Sequence, residues 1–241
     1  MYFTEPKIDE LLNTASVVVF DMNGTIIDDE LIQLQAVNIA LSPFHYKIDE
    51  VYWGENCVGR RAEEFITTFF EKKLNAPLPQ LKRIIESKEQ AYETLLRKNL
   101  PSILQKGAID LLKHLNNHPN KKKLALATSS SRNNVDILLS VNSFTSKSSF
   151  DLIICGDNLA KAKPDPEIYL KVRNFFKEES SFLVFEDSGF GVLAAKLAGL
   201  RCIAIPNRFT VHQNFVIADL VISDLSRHAH IIGSKYRSTH K

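Results

Sequence analysis

Three observations predict an open α/β fold: a doubly wound parallel sheet interrupted by an all-helical insertion. Val17-Val18-Val19-Phe20 is an apolar run that ends on Asp21 and the turn Asn23-Gly24, and such a run reads as a buried parallel strand. From Gly107 onward, short apolar runs alternate with helical stretches, as in repeated β-α-β units. Between these two regions, from Pro43 to about Leu100, no stretch reads as a strand. The expected organisation is a core of residues 1–28 and 102–241 and an inserted helical domain of residues 29–101.

The elements follow in order. Ile8–Leu12 reads as a short helix before the first strand. Asp28-Asp29-Glu30 opens a helix through Leu31, Leu34, Val37 and Leu41, with acids where the helix dipole favours them, and Pro43 ends it. Ala62–Leu74 is amphipathic, with Phe65, Ile66, Phe69 and Phe70 on one side. Gln80–Leu96 is helical again, and Pro101 is expected to interrupt the chain. Ala108–Leu115 is a helix, and Lys121-Lys122-Lys123 reads as a solvated turn. Strands are expected at Leu124–Ala127, Leu152–Cys155, Phe182–Phe185 and Cys202–Ile205, with an edge strand at Asp219–Ile222. Helices fall between them at Asn133–Leu139, Pro166–Phe176, where proline sits in the first turn, and Val192–Ala198, which Gly199 closes. The basic tail from Ser234 to Lys241 reads as frayed.

Composition narrows the function. The chain has 241 residues, 44% of them hydrophobic, and a net charge of +2, so no long-range field favours nucleic acid. Cys57, Cys155 and Cys202 are few and lack metal-type spacing, which suits a reducing compartment. The N-terminus carries acids and no long apolar run, and nothing approaches the ~20 apolar residues of a membrane helix. A cytoplasmic monomer that engages neither membrane nor nucleic acid is expected. The seven histidines share no spacing that suggests metal binding.

Strand ends carry the chemistry. In an open α/β sheet, ligands bind beyond the carboxyl ends of the strands. There the sequence places Asp21 with Asn23, Thr128 with Ser129, and Glu186 with Asp187, and Lys163 lies in the loop Lys161–Pro166. Singly, each has a plain structural reading: a turn-forming acid, a helix cap, a solvated lysine. Together they suit phosphoryl transfer. Acids from separate strands can clamp Mg²⁺, a metal-neutralised phosphate can be approached by a carboxylate, and Thr128 and Lys163 can hold the remaining oxygens. Asp21 would then attack and form an aspartyl phosphate.

The motifs Asp21-Met22-Asn23-Gly24-Thr25, Thr128-Ser129-Ser130, Lys163-Pro164-Asp165-Pro166 and Glu186-Asp187-Ser188-Gly189 resemble, in order and spacing, those of the haloacid dehalogenase superfamily. The helical insertion resembles that family's cap domain. Val58–Glu64 is similar to the cap loop of its β-phosphoglucomutase-like branch. The resemblance covers roughly Ser16 to Ile222. It implies a Rossmann-like core, Asp21 as nucleophile, and Mg²⁺ held by Asp21, the Asn23 carbonyl, Glu186 and Asp187. It also implies phosphate held by Thr128, the Ser129 amide and Lys163. Arg60 and Arg61 of the cap loop either read the substrate or begin a solvated helix.

One departure stands out. Most phosphatases of this family carry a second aspartate at the position of Asn23, which protonates the leaving group and later activates water. An amide cannot exchange that proton, and losing such help costs roughly 10²–10⁴-fold in rate. An engineered trap, an enzyme for easily departing groups, and a degenerate relative that binds without turnover all remain open. Some branches of the superfamily lack this acid; phosphonate hydrolases use a cap lysine instead, and this cap loop shows no obvious equivalent. Gln33 stands where mutases of the branch typically place a histidine, which weighs against a mutase. The leading expectation is a Mg²⁺-dependent phosphatase of small, sugar-phosphate-like metabolites; a phosphate-binding pseudoenzyme and a phosphomutase are the alternatives. Asn23→Asp is expected to be tolerated, its added charge lying beside Mg²⁺.

Overall fold

The computed structural model describes residues 6–117, 121–140 and 149–226. The tail from Ser234 lies outside them. Helix α1 (Pro6–Thr14) precedes β1 (Val17–Phe20). The insertion holds α2 (Glu30–Leu41), α3 (Glu50–Asn56), α4 (Ala62–Thr68), a π-helical turn at Phe69–Leu74, and α5 (Leu81–Ile103). The chain then runs through α6 (Lys106–Asn117), β2 (Lys123–Ala127), α7 (Arg132–Leu139), β3 (Leu152–Ile154) and α8 (Glu167–Phe175). It finishes with β4 (Phe182–Glu186), α9 (Gly189–Leu197), β5 (Arg201–Ala204) and β6 (Leu220–Val221).

Among the described residues the six strands are all parallel, in the order β3-β2-β1-β4-β5-β6. This is the doubly wound α/β arrangement that the alternating pattern predicts. The winding reverses at β1, which pairs with β2 on one side and β4 on the other, so the strand ends of β1, β2 and β4 flank the switch point where such sheets bind ligands. Register aligns Val19 with both Ala125 and Val184. It therefore carries Asp21, Thr128 and Glu186 out along one edge.

The sheet is covered on both faces, which explains why its central strands are apolar throughout. Alternation along β1 sends Val18 and Phe20 into one core, with Leu124, Leu126, Leu111, Leu112 and Val135. Val17 and Val19 enter the other, with Ala125, Ile168, Tyr169, Val192 and Ala195. Gly199, at φ 77°, turns the chain out of α9, and the Leu200 amide closes back on the Ala195 carbonyl; the left-handed turn suits glycine.

A third apolar cluster fills the insertion: Leu34, Val37, Leu41, Trp53, Phe65, Ile66, Phe69, Phe70 and Ile84. Helix α5 connects the two bodies. Its Ile84 lies in the insertion's cluster, whereas Tyr92, Leu96 and Leu100 lie in the sheet's core. The two connecting segments run side by side: Ile27 bridges Leu104, Asp28 donates to the Ile103 carbonyl, and Gln105 to the Ile26 carbonyl.

Several local expectations are corrected. Helix α5 does not stop before Pro101 but ends at Ile103; in a last turn the missing N–H forfeits a single helical bond, while the packing of Leu96 and Leu100 continues. The stretch 62–74 is α-helical only to Thr68 and then widens into the π turn. Helix α3, capped by Asp49 accepting from the Tyr52 amide, was not legible in the periodicity. Lys121–Lys123 is not simply a solvated turn: Lys123 opens β2, and Lys122 donates to the Ala15 carbonyl at 2.6 Å. Among the described residues, no helix is long and apolar enough to cross a membrane.

Phe70 is fully buried in the insertion's cluster, edge-on to Tyr46 at 5.1 Å. Phe70→Ala is expected to cost about 3–5 kcal/mol in urea denaturation. Val51→Ala, on the exposed side of α3, is expected to stay within about 0.5 kcal/mol.

Candidate active site

Asp21 lies one residue beyond β1 and is 6% exposed. Its Oδ1 accepts from Lys163 Nζ at 2.6 Å, and the same ammonium donates to Glu186 Oε1 at 2.5 Å. Lys163 thus bridges the ends of β1 and β4. Asp21 Oδ2 has no hydrogen bond within the described residues. Glu186 is fully used: Oε1 also accepts from the Tyr169 hydroxyl at 2.7 Å, and Oε2 accepts from the Asp187 and Ser188 amides and the Ser188 hydroxyl. Asp187 Oδ2 accepts from Asn207 Nδ2 at 2.8 Å.

Two glycines permit this crowding. A Cβ on Gly191 would sit 2.0 Å from the Glu186 carboxyl carbon. At Gly24, where φ is +74°, a Cβ would sit 2.0 Å from Asp187 Oδ2. Any side chain at either position would displace a carboxylate.

The electrostatics are those of three buried acids and one cation. Burial pushes Asp21 up to about 7, against the pull of Lys163. Burial, followed by the charges of Glu186 and Asp21, holds Asp187 well above the usual carboxylate range. Burial works against the Lys163 charge, but Asp21 and Glu186 outweigh it and its pKa is raised. Asp21, Glu186 and Asp187 each offer an oxygen, and these oxygens all lie within 4.8 Å of one another. An oxygen donor set with excess negative charge fits a hard divalent cation such as Mg²⁺.

Asn23 is locked in place. Its Nδ2 donates to Asp29 Oδ2 at 2.8 Å and to the Tyr92 hydroxyl at 3.2 Å, and its Oδ1 accepts from Ser130 Oγ at 2.6 Å and Thr128 Oγ1 at 3.3 Å. Asp29 is fully buried, and its Oδ2 also accepts from Tyr92 at 2.6 Å and Gln33 at 3.1 Å. The amide therefore has a structural reason: it donates to a buried carboxylate. An aspartate at position 23 would face the buried Asp29 carboxyl instead of donating to it, so Asn23→Asp is expected to fit best together with a change at Asp29.

A cavity of about 390 Å³ opens above Asp21 and is walled by both bodies. Ser129, Ser130 and Lys163 line it from the core, and Arg60, Arg61 and Lys88 from the insertion. Arg61 crosses between them, with Nη2 donating to the Leu159 carbonyl at 3.3 Å; Arg60 turns back to the Asn56 carbonyl and to Glu64. Thr128 is fully buried, its hydroxyl directed at Asn23 rather than at the cavity. The sequence did not reveal Tyr169, Asn207, Tyr92, Asp29 or Glu30, whose contacts join residues far apart in the chain. The only available signal was Asp28-Asp29-Glu30 itself, which reads as an ordinary helix start.

Lys163→Met removes the cation that, among the described residues, is bonded to both Asp21 and Glu186. The expected cost in metal-free urea denaturation is about 3–5 kcal/mol, the range for an orphaned buried charge; a change below about 1 kcal/mol would show that Lys163 does not balance these acids. The pH dependence has a defined sign. Asp21 holds its proton more tightly folded than unfolded, so its contribution to metal-free stability falls as pH rises from about 4 to about 7. Cation binding must displace such protons, so Mg²⁺ should raise Tm more at about pH 8 than at about pH 5.

A family model described as haloacid dehalogenase-like hydrolase matches residues 18–205. Protein CbbY of Cereibacter sphaeroides is 30% identical over 215 residues, 87% of this chain and 92% of that protein. The probable pseudouridine-5'-phosphatase of Drosophila melanogaster is 30% identical over 223 residues, 88% and 93% of the two chains. Among solved structures, a CbbY variant from Rhodobacter sphaeroides in complex with xylulose-(1,5)-bisphosphate superposes with TM-score 0.77 at 27% identity, covering 88% of this chain and 96% of that one. A β-phosphoglucomutase from Clostridium difficile shares the fold, with TM-score 0.74 at 22% identity over 93% of this chain and 98% of its own. The chain belongs to the haloacid dehalogenase-like hydrolase family.

Proposed function

We propose that the protein is a Mg²⁺-dependent phosphatase of small phosphorylated metabolites, acting through an aspartyl phosphate on Asp21. One observation carries this reading. Asp21 presents a free Oδ2 at the floor of a cavity that also holds Lys163, two more buried acids and a polar rim from the helical insertion. The relatives support the substrate class: they include a probable pseudouridine-5'-phosphatase and a (DL)-glycerol-3-phosphatase of Arabidopsis thaliana.

Each residue has a role in this reading. Asp21 Oδ2 attacks phosphorus, while Lys163 fixes Oδ1 and offers positive charge to the phosphate oxygens. Ser129 binds a phosphate oxygen through its amide, and Thr128 does so when its hydroxyl turns away from Asn23. Asp21, Asp187, Glu186 and the Asn23 carbonyl would hold Mg²⁺, which supplies charge neutralisation to the phosphate when bound. Because all five hydrogen bonds to Glu186 come from the protein, its main part is to orient Lys163 and frame the cluster. Arg60, Arg61 and Lys88 face the distal part of the substrate, and the helical insertion acts as the lid that excludes water. Gln33 donates to Asp29 and offers no acid or base, which favours a hydrolase over a phosphomutase.

Kinetics with acetyl phosphate, p-nitrophenyl phosphate and a sugar phosphate test this directly. Turnover is expected with Mg²⁺ and is expected to vanish in Asp21→Asn. Phosphate binding with no turnover on any donor would instead make the protein a phosphate-binding pseudoenzyme. Mg²⁺ should raise Tm by mass action, and Asp187→Ala should abolish that rise; an undiminished response in the variant would remove Asp187 from the metal site.

A further inference from the structure

We propose that Glu30 is the proton donor to the leaving oxygen, in the role that Asn23 cannot fill. The inference rests on the phosphatase reading above. It begins from what Asn23 does: both polar atoms of its side chain are committed, the amide to Asp29 and Tyr92 and the oxygen to Ser130 and Thr128. No proton can come from it. Asp29 is no substitute, because it is fully buried and does not line the cavity, and its Oδ2 accepts from three donors.

Glu30 is placed differently. It is the first residue of α2, at the seam between core and insertion, and its side chain lines the cavity together with Asp21 and Lys163. Trp53 Nε1 donates to Oε2 at 2.9 Å and fixes the carboxyl in orientation. Oε1 has no hydrogen bond within the described residues. The residue is 6% exposed, so the group sits in a dry wall of the cavity. The charges that act on it most strongly are acids, Asp29 and Asp28 on its own segment and Asp21 beyond β1, with Asp187 beyond β4 also interacting with it. Lys163, Lys88, Arg60 and Arg61 line the same cavity. Burial and then Asp29 push Glu30 up to about 8, which keeps it protonated at neutral pH. A carboxylic acid held neutral beside a reacting centre is the form a general acid needs.

The step balances. As Asp21 Oδ2 forms its bond to phosphorus, the bond from phosphorus to the substrate oxygen breaks and its electron pair goes to that oxygen. The Glu30 proton passes to the same oxygen, releasing a neutral alcohol and leaving a Glu30 carboxylate. In the second half, water attacks phosphorus, its proton goes to Glu30, and the bond to Asp21 breaks to free phosphate and the original carboxylate.

The test compares Glu30→Gln with the unmodified protein on a sugar phosphate and on acetyl phosphate, reading kcat/KM, which reports steps up to phosphorylation of Asp21. The substitution keeps an oxygen for the Trp53 N–H, so the fold should survive. A sugar phosphate releases an alkoxide that needs a proton, and the expected loss is roughly 10²-fold or more; acetyl phosphate releases a stable carboxylate, and its loss should be at least tenfold smaller. Exchanging the pair, Asn23→Asp with Asp29→Asn, in the Glu30→Gln background should recover activity on the sugar phosphate, which a merely structural Glu30 would not allow. Equal losses on both donors, no loss on the sugar phosphate, or an unmodified protein active only on acetyl phosphate would each overturn the assignment of Glu30. An unmodified protein inactive on both donors would overturn the phosphatase reading itself, a distinct result.

Discussion

The Lys163 ammonium, held between Asp21 and Glu186, is the interaction on which the site depends. Three buried carboxylates converge at the ends of two adjacent strands, and burial disfavours the charge of Asp21 and Asp187. A single lysine cannot neutralise all three, and the surplus negative charge is what a divalent cation would meet. Much of the surrounding structure keeps this arrangement in place. Tyr169 and the amides after β4 fix Glu186, so that Lys163 has one direction in which to point. Gly191 and Gly24 leave room where a methyl group would strike a carboxylate. The parallel register of β1 with β4 sets the spacing of the acids, and two apolar cores hold that register from either face.

A second buried network sits beside the first and serves the joint between core and insertion. Asn23 follows β1, Asp29 precedes α2, and Tyr92 lies midway along α5; their side chains meet in one hydrogen-bonded cluster. The amide at position 23 and the carboxylate at position 29 are complementary, donor to acceptor. An aspartate at position 23 would take away the amide that Asp29 accepts from, and two ionised carboxylates at that separation would repel one another in a buried setting. In the proposed reaction on alkyl phosphates the acid comes instead from Glu30, one residue beyond Asp29 on the cavity wall.

The fold and the main chemical groups were legible because they depend on local pattern. An apolar run ending on an acid and a turn locates Asp21, and the same logic finds Thr128 and Glu186 at the ends of β2 and β4. Lys163 was legible only through its motif, since a lysine before proline has no periodicity to betray it. What escaped were side chains that act across the chain. Tyr169 meets Glu186 from 17 residues away, Asn207 meets Asp187 from 20, and Tyr92 meets Asp29 from 63. No pattern of residue spacing announces such pairs. Pro101 misled for a related reason: its local cost is a single helical bond, and the packing of Leu96 and Leu100 against the sheet's core outweighs it.

In the proposed reaction Asp21, set among Lys163 and two further acids, is a nucleophile that a divalent cation makes competent. The most direct measurement is a crystal structure of the protein with Mg²⁺ and beryllium fluoride, a mimic of a phosphoryl group on a carboxylate. The expected result is the fluoride mimic bonded to Asp21 Oδ2, Lys163 within hydrogen-bonding reach of it, and the ion held among Asp21, Asp187, Glu186 and the Asn23 carbonyl. A mimic bound away from Asp21, or an ion on other residues, would contradict it.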